Sequence, residues 1–274
     1  MSCVKTSQET QRVVVKVGTS TLTRENGSPN LHNIDHLVRA LTDLKNMGHE
    51  VILVSSGAIA IGTNKLGVKE RPSELRVKQA LAAVGQCELM HLYDKFFGEY
   101  GVTVAQILLT GEDVEDPTRA KHLGQTFEAL LELGCIPIVN ENDSVSTAEI
   151  ETGSCKVLGD NDTLSAIVAR LCGADLLVLL SDIDGLYDCD PHKNPQARLI
   201  HRVDAITPTL REAAGGAGTW RGTGGMATKL AAAGLAMEAG VDMVITNGAH
   251  MESLYDIIEG RDVGTRFLAR RSAQ

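Results

Sequence analysis

Short apolar runs alternate with helix-length amphipathic segments along almost the whole chain. The first run, RVVVKV at residues 12–17, precedes a segment in which Ile34, Leu37 and Leu41 share one helical face. Buried strands that alternate with helices are typical of a parallel sheet covered on both faces. The sequence therefore predicts a three-layer αβα sandwich with a mostly parallel central sheet. The predicted strands cover residues 12–17, 51–54, 102–109, 135–139, 176–180, 241–246 and 265–268. The predicted helices cover residues 33–47, 72–100 with a break near Gly85, 118–133, 162–172, 226–238 and 251–259.

Composition limits the classes of protein to which the chain can belong. Its 274 residues suffice for one large core, which must be aliphatic because aromatic side chains make up only 3%. The net charge of -9 disfavours nucleic acid as a partner, and no apolar stretch reaches the roughly 18 residues that cross a membrane. The six cysteines form no CxxC pair, which is typical of a reducing compartment. We expect a cytoplasmic protein with an N-terminal tail at residues 1–11 and a single domain at residues 12–270.

Polar residues gather where the predicted strands end, which is where open parallel sheets bind ligands. Lys16 is followed by Gly18 and two hydroxyl residues, which suits an anion, but a strand-end lysine also extends readily into solvent. Ser56 and Gly57 lead from the second strand into a helix, where free N–H groups bind an anion or simply form a cap. Taken alone, the first segment favours the solvent-exposed lysine, and the second favours neither interpretation.

Two further segments are rich in carboxylate and amide side chains. VNENDS at residues 139–144 comes directly after a buried strand, and GDND at residues 159–162 opens a predicted helix. Two interpretations are open for these segments. They form a polar turn and a helix cap, or they form the wall of a pocket that pairs with a cationic group.

A glycine-rich segment precedes the helix predicted at residues 226–238. Gly222, Gly224 and Ala227 match the GxGxxA pattern of dinucleotide-binding proteins, but no strand precedes them. A Walker A loop is excluded as well, because the chain has no Gly-Lys pair. The glycines still give the backbone room to approach a phosphate, and Lys229 follows within one helical turn. The role of Trp220 in this segment stays open.

Three other features are interpreted as surface structure. His32 and His36 are four residues apart on a helix, but no third ligand accompanies them, so a metal site is disfavoured. The acidic residues 111–116 predict a solvated loop that leads into a helix. Residues 144–158 alternate in polarity around Thr152-Gly153-Ser154 and predict an exposed hairpin.

Taken in order, these segments resemble the amino acid kinase family over residues 12–269, which is nearly the whole chain. The motifs general to the family are Lys16-Val17-Gly18 and the run from Ser181-Asp182 through Gly185-Leu186-Tyr187 to Asp190-Pro191. Four others resemble the branch that phosphorylates glutamate: SSGAI at 55–59, NEND at 140–143, GDND at 159–162 and GTGGMATK at 222–229. The resemblance implies the amino acid kinase fold.

The resemblance also implies an activity, which is transfer of the γ-phosphoryl group of ATP to the γ-carboxylate of L-glutamate, the first step of proline biosynthesis. Lys16 and Lys229 would neutralise charge on the transferred group, and Asp162 would hold both lysines in place. The implied glutamate-binding residues are Ser56, Gly57, Asn140, Asp143, Asp160 and Asn161. The implied nucleotide-binding residues are Lys16, Gly18, Ser181, Asp182, Thr223, Gly224, Gly225, Met226, Ala227, Thr228 and Lys229.

The chemistry of that reaction agrees with these residue types. A glutamate carboxylate, with a pKa of about 4.3, is ionised at neutral pH and needs no general base. Catalysis then has to bring two anions together and stabilise an in-line phosphoryl transfer. Mg²⁺ is implied as an ion that bridges the phosphates through water and phosphate oxygens, with no metal site made by the protein.

Partners are implied by the same resemblance. Family members commonly form homo-oligomers and are inhibited by proline, and residues 144–158 are where we expect both properties. A glutamyl phosphate reductase would take up the labile product. Many bacterial relatives carry a C-terminal PUA domain, and animal and plant relatives are fused to a reductase. We expect neither domain here, because the chain stops at Gln274.

Three alternatives compete with this interpretation. A related kinase could act on N-acetylglutamate, aspartate, carbamate or UMP, but the paired acidic motifs favour a free ammonium group. A non-catalytic sensor of glutamate or ATP would not need Lys16, Asp162 and Lys229 together. A dinucleotide oxidoreductase lacks the strand that its fingerprint requires.

Overall fold

The computed structural model describes residues 10–69, 72–145, 160–189, 191, 194, 196–214 and 225–270. Within this part of the chain, eight strands form one sheet and ten helices surround it. The strands are β1 (Arg12–Val17), β2 (Glu50–Val54), β3 (Val104–Leu109), β4 (Ile136–Glu141), β5 (Leu176–Ser181), β6 (Arg202–Val203), β7 (Asp242–Asn247) and β8 (Thr265–Phe267). The helices are α1 (Thr19–Leu22), α2 (Leu31–Asn46), α3 (Ala58–Lys65), α4 (Leu75–Gly98), α5 (Gly111–Glu115), α6 (Pro117–Glu132), α7 (Asn161–Leu171), α8 (Pro208–Ala214), α9 (Met226–Glu238) and α10 (Ser253–Ile258).

The strands follow the order β3-β4-β2-β1-β5-β7-β8-β6, with β1 near the centre. All neighbouring pairs are parallel except β7 and β8, which are antiparallel. Val14 of β1 pairs with Ile52 on one side and Leu177 on the other. The carboxyl ends of β1, β2, β4, β5 and β7 therefore lie along one edge of the sheet. The fold class predicted from the sequence is confirmed.

Two apolar clusters fill the two faces of the sheet. Val14 packs in the cluster that includes α7 and α9, whereas Val13, Val15 and Val17 pack in the cluster that includes α2 and α4. Burial of a side chain of this size contributes about 1.5–3 kcal/mol to stability. The buried valines therefore determine which side of β1 faces each cluster. Lys16 takes the next position on the Val14 face, because side chains alternate along a strand.

Helices α3 and α4 touch through their backbones. A Cβ atom added to Gly85 would lie 1.7 Å from the carbonyl oxygen of Ala58, and one added to Gly62 would lie 1.9 Å from that of Leu81. The predicted helix break near Gly85 is therefore wrong, because α4 is continuous from Leu75 to Gly98. Gly85 is required for close packing and does not interrupt the helix.

Other differences from the sequence prediction are local. The loop expected at residues 111–116 is the short helix α5, because Asp113 accepts hydrogen bonds from the N–H and the hydroxyl of Thr110 at 2.8 and 2.7 Å. The elements α1, α8 and β6 were not predicted. Most of the hairpin predicted at 144–158 lies outside the described residues, as do Trp220 and Gly222. Among the described helices, none combines the length and apolar composition needed to cross a membrane.

Candidate active site

A buried carboxylate joins two lysines at the carboxyl edge of the sheet. The Nζ of Lys16 lies 2.6 Å from Oδ1 of Asp162, and the Nζ of Lys229 lies 3.1 Å from Oδ2. Thr228 donates its hydroxyl to the same Oδ2 at 3.0 Å. The side chains are deeply buried, since Lys16, Asp162 and Lys229 are 9%, 1% and 6% exposed. We call these three residues the lysine–aspartate cluster.

The two lysines determine the ionisation of Asp162. Burial alone would raise the pKa of Asp162, but the positive charges of Lys16 and Lys229 outweigh burial and hold that pKa below its ordinary value. Asp162 thus holds two ammonium groups in a poorly solvated place at the edge of the sheet. Ammonium groups in such a place are suited to the binding of an anion.

Three separate elements bring the cluster together. Lys16 lies at the carboxyl end of β1, and Asp162 and Lys229 lie in the first turns of α7 and α9. Asp160 caps α7, because its Oδ1 accepts the backbone N–H groups of Asp162 and Thr163 at 2.8 and 2.9 Å. The cap fixes where α7 begins and therefore where the Asp162 carboxylate lies. The helix cap that the sequence allowed for Asp160 is present in the structure.

A chain of hydrogen bonds between neutral side chains runs beside the cluster. Nδ2 of Asn161 donates to the carbonyl oxygen of Ser55 at 2.8 Å, to Oγ of Ser56 at 2.7 Å and to Oδ1 of Asn140 at 3.1 Å. Nδ2 of Asn140 in turn donates to Oε1 of Gln86 at 3.0 Å. We call Ser56, Asn161, Asn140 and Gln86 the amide chain. It joins the ends of β2 and β4 to α7 and α4.

The amide chain borders a cleft of about 400 Å³. Gln86 and Asn142 line it, and so does Asp143, the predicted ligand of an ammonium group. The acidic side chains of the lining, Glu141 and Asp143, lie at the end of β4 and just after it. The largely apolar part of the lining comes from α3, α4 and β3 and consists of Ala58, Ala82, Ala83, Cys87, Met90, Gln106 and Leu108. A cleft of this size with one acidic and one largely apolar wall suits a small amino acid.

Gly57 shapes the entrance to α3. Its φ of 96° is in the left-handed region, which favours glycine, and it directly precedes the first turn of α3. Ser56 is thereby turned toward Asn161, so the predicted Ser56-Gly57 segment meets the predicted Asn140 and Asn161 in one place.

The predicted nucleotide-binding residues lie along the other half of the same edge. Gly18 follows β1, and a Cβ added to it would lie 3.7 Å from Nζ of Lys16. Ser181 ends β5 and donates its hydroxyl to Asp182 at 3.1 Å. Gly225, Met226, Ala227 and Thr228 open α9 next to Lys229, while Thr223 and Gly224 lie outside the described residues. In the structure Thr228 bonds to Asp162, a contact that the sequence prediction did not include.

Sequence reasoning missed two residues of α4. Gln86 bonds to Asn140, and Tyr93 lies 2.9 Å from Oγ of Ser55 through its hydroxyl. Burial raises the pKa of Tyr93, so the phenol stays neutral. The two residues are seven positions apart and share one helical face. A polar residue on the buried stripe of an Ala/Leu-rich helix was the available signal.

Comparison with known proteins identifies the family. The sequence model of the Amino acid kinase family matches residues 11–247. The chain belongs to the amino acid kinase family. This confirms the resemblance that the motifs of the strand ends indicated, and it agrees with the position of those motifs at one edge of the sheet.

Solved structures of kinases share the fold at low sequence identity. The carbamate kinase of Giardia lamblia bound to AMP-PNP has a TM-score of 0.66 at 16% identity, over 96% of this chain and 99% of that one. The isopentenyl phosphate kinase of T. acidophilum has a TM-score of 0.62 at 17% identity, over 94% of this chain and 100% of that one.

Relatives with higher identity cover nearly the full length. A glutamate 5-kinase of Clostridium perfringens is 54% identical over 97% of this chain and 98% of its own length. A glutamate 5-kinase of Listeria innocua is 50% identical over 96% of this chain and 95% of its own length.

Proposed function

We propose that the chain is an ATP-dependent kinase that phosphorylates the γ-carboxylate of L-glutamate. The observation that carries this proposal is the lysine–aspartate cluster, two buried lysines on one carboxylate. The amide chain leads from this cluster to a cleft that is lined in part by acidic and amide side chains. Relatives that share about half of the residues over nearly the whole length are glutamate 5-kinases.

The lysines suit the transferred phosphoryl group. A carboxylate oxygen of the acceptor attacks the γ-phosphorus, and the bond from that phosphorus to the β-phosphate oxygen breaks to release ADP. Lys16 and Lys229 neutralise negative charge on the group in transit, and Asp162 keeps both ammonium groups at fixed positions. The acceptor is already ionised, so no side chain has to remove a proton.

The acidic lining of the cleft and the neighbouring amide chain suit the acceptor. Asp143 and its neighbours at the end of β4 match the α-ammonium group of a free amino acid, which an N-acetylated acceptor lacks. Ser56 and Asn161 are hydrogen-bonded to each other at 2.7 Å, and Asn161 directly precedes Asp162, so both suit the oxygen atoms of the reacting carboxylate. Asn140, Asp160 and Gly57 shape the same region.

Mg²⁺ enters this proposal with ATP, as part of the substrate. Among the described residues no group of three His, Cys, Asp or Glu side chains is placed to hold a metal ion. Both oxygens of Asp162 are engaged by lysines. The phosphate oxygens are therefore the ligands that we propose for the ion, and no step is assigned to a metal site of the protein.

Four further properties belong to the proposal. A homo-oligomeric assembly, inhibition by proline and use of the product by a glutamyl phosphate reductase rest on the family resemblance, whereas a location in the cytoplasm rests on the composition of the chain. The acyl phosphate is labile, which favours prompt use by a following reductase.

A hydroxylamine trap tests the activity directly. With ATP, Mg²⁺ and L-glutamate we expect γ-glutamyl hydroxamate, and omission of any one of the three should abolish it. N-acetylglutamate, aspartate and UMP serve as alternative acceptors in the same assay, scored by ADP release. Preferential turnover of one of them would replace the proposed acceptor.

Ligand-induced stabilisation separates a kinase from a sensor. L-glutamate and ATP should each raise the melting temperature, because a ligand that binds only the folded state stabilises it. N-acetylglutamate, UMP and NAD should not. Stabilisation by glutamate and ATP without hydroxamate formation would indicate a sensor and contradict the kinase.

A further inference from the structure

The amide chain has a fixed direction. The backbone N–H of Glu141 donates to Oδ1 of Asn140 at 2.9 Å, and a backbone N–H can only donate. This contact assigns the oxygen of the Asn140 amide. Its Nδ2 must then be the atom that faces Gln86, and Gln86 must offer its oxygen in return.

The other end of the chain agrees with this direction. Nδ2 of Asn161 faces the carbonyl oxygen of Ser55, which can only accept a hydrogen bond. Nδ2 of Asn161 is also 3.1 Å from Oδ1 of Asn140. Two independent backbone groups therefore impose the same orientation on the two amides between them.

One consequence concerns the nitrogen of Gln86. Its Oε1 is engaged by Asn140, so Nε2 and its two hydrogens are the part of the side chain that remains for the cleft, which Gln86 lines. Among the described residues no acceptor is hydrogen-bonded to this nitrogen. A fixed amide N–H₂ beside alanine and methionine side chains is a donor for a carboxylate oxygen.

The position of Gln86 selects one carboxylate of the acceptor. Contacts lead in order from the lysines to Asp162, then through the adjacent Asn161 and Asn140 to Gln86. Gln86 is thus at the end of the site away from the phosphoryl group. An α-amino acid bears its ammonium and carboxylate on one carbon, so its recognition needs an anion and a donor close together. Asp143 and Gln86 line the same cleft.

We infer that Gln86 is an acceptor-binding residue whose Nε2 donates to the α-carboxylate of the amino acid, the carboxylate that is not phosphorylated. This inference rests on the proposed function. The amide chain then takes part in recognition, because the backbone of β4 orients the amide of Asn140, and Asn140 in turn orients the amide of Gln86 on α4.

The variant Gln86→Glu tests the contact. A glutamate at this position still accepts the hydrogen bond from Asn140, but it replaces the donor with a negative charge. We expect the KM for L-glutamate to rise at least about 30-fold, because repulsion replaces a charge-assisted hydrogen bond. The KM for ATP and kcat should change by less than about threefold. Gln125→Glu, the same substitution at an exposed position of α6, is the matched control and should leave both KM values unchanged.

Truncated acceptors locate the contact without relying on one variant. Glutarate keeps both carboxylates and lacks the ammonium group, whereas 4-aminobutanoate lacks the α-carboxylate. As competitive inhibitors against L-glutamate, glutarate should bind at least about tenfold more weakly to Gln86→Glu than to the unaltered protein. The affinity of 4-aminobutanoate should differ by less than about twofold between Gln86→Glu and the unaltered protein.

The outcomes are distinguishable. An active protein whose Gln86→Glu variant keeps the KM for glutamate within threefold would show that Gln86 only orients Asn140, and the inference would fall. Equal weakening of glutarate and 4-aminobutanoate would also overturn it. Failure of the proposed function would appear differently, as unaltered protein that releases no ADP with glutamate. If the Gln86→Glu variant has a low melting temperature, the two analogues are compared on the unaltered protein instead. The inference then requires that 4-aminobutanoate, which lacks the α-carboxylate, binds more weakly than glutarate.

Discussion

The lysine–aspartate cluster and the amide chain are adjacent, yet they hold their atoms in place by different means. In the cluster, opposite charges are buried and attract one another whatever their exact angle. In the amide chain, neutral groups are fixed by which atom donates and which accepts. Buried charges suit the part of the site where a highly charged phosphoryl group is transferred. Directional hydrogen bonds suit the part of the site that distinguishes one small acceptor from another.

The two regions also differ in what each contact is worth. Removal of one partner from a buried ion pair costs about 3–5 kcal/mol, because the remaining charge is left uncompensated. A single neutral hydrogen bond contributes about 1 kcal/mol. Substitutions in the cluster should therefore affect rate and stability strongly, and substitutions in the amide chain and its cleft should affect mainly acceptor affinity.

The largest effect is expected from Lys229→Ala. We expect kcat to fall about a thousandfold, which corresponds to about 4 kcal/mol of lost transition-state stabilisation, with little change in the KM for glutamate. Steady-state kinetics of ADP release measure both values. Lys121→Ala, at an exposed position of α6, is the control and should be as active as the unaltered protein. An unchanged kcat in Lys229→Ala would remove the cluster from the chemistry.

The next effect is on stability and depends on pH. At pH 7 Asp162→Asn should lose about 3 kcal/mol of unfolding free energy, since two buried ammonium groups lose their partner. The pKa of Asp162 is lowered in the folded protein. Its stabilising contribution is therefore complete above the unfolded value of about 3.9 and disappears as the pH falls through the lower folded value.

The difference between the unaltered protein and Asp162→Asn should accordingly shrink in acid. Urea unfolding at several pH values from 7 to below 4 measures it. Asp204→Asn, at an exposed carboxylate, should show a small difference at all pH values. A difference that stays constant into acid would show that Asp162 is not held ionised by the lysines.

A moderate effect is expected at the helix contact beside the amide chain. Gly85→Ala forces a methyl group against the backbone of α3 and should cost about 2–3 kcal/mol of stability. Because Gln86 moves with α4, the KM for glutamate should rise as well. Gly98→Ala in the same helix meets no atom within 4 Å and should change stability by less than about 1 kcal/mol. Equal stability of the two variants would contradict the close contact.

The smallest effect is expected at the acidic wall. Asp143→Ala should raise the KM for glutamate about tenfold, or about 1.4 kcal/mol, and leave the KM for ATP nearly unchanged. A rise in the KM for ATP alone would place Asp143 on the nucleotide side of the site. It would contradict the assignment of separate regions to the phosphoryl group and to the acceptor.

The sequence predicted the strands of the sheet and the segments at their ends, because both depend on local patterns. The predicted bounds of β1 and α9 agree with the structure residue for residue. Gly85 was misjudged because a glycine within a helix looks like a break until its neighbour across the helix contact is known. Gln86 was missed for a related reason, since its partner Asn140 is 54 residues away in the chain. Such pairings depend on packing, which no local pattern contains.

The backbone contact between Gly62 and Gly85 limits how the acceptor range of this protein could change in evolution or by design. Helices α3 and α4 are already as near as their main chains permit, so no substitution at the crossing can narrow the cleft, and any added methyl group separates the helices. Discrimination by size is left to other positions of the cleft, among them the small side chains of Ala82 and Ala83 on α4. A library aimed at new acceptors should hold both glycines constant and vary the two alanines.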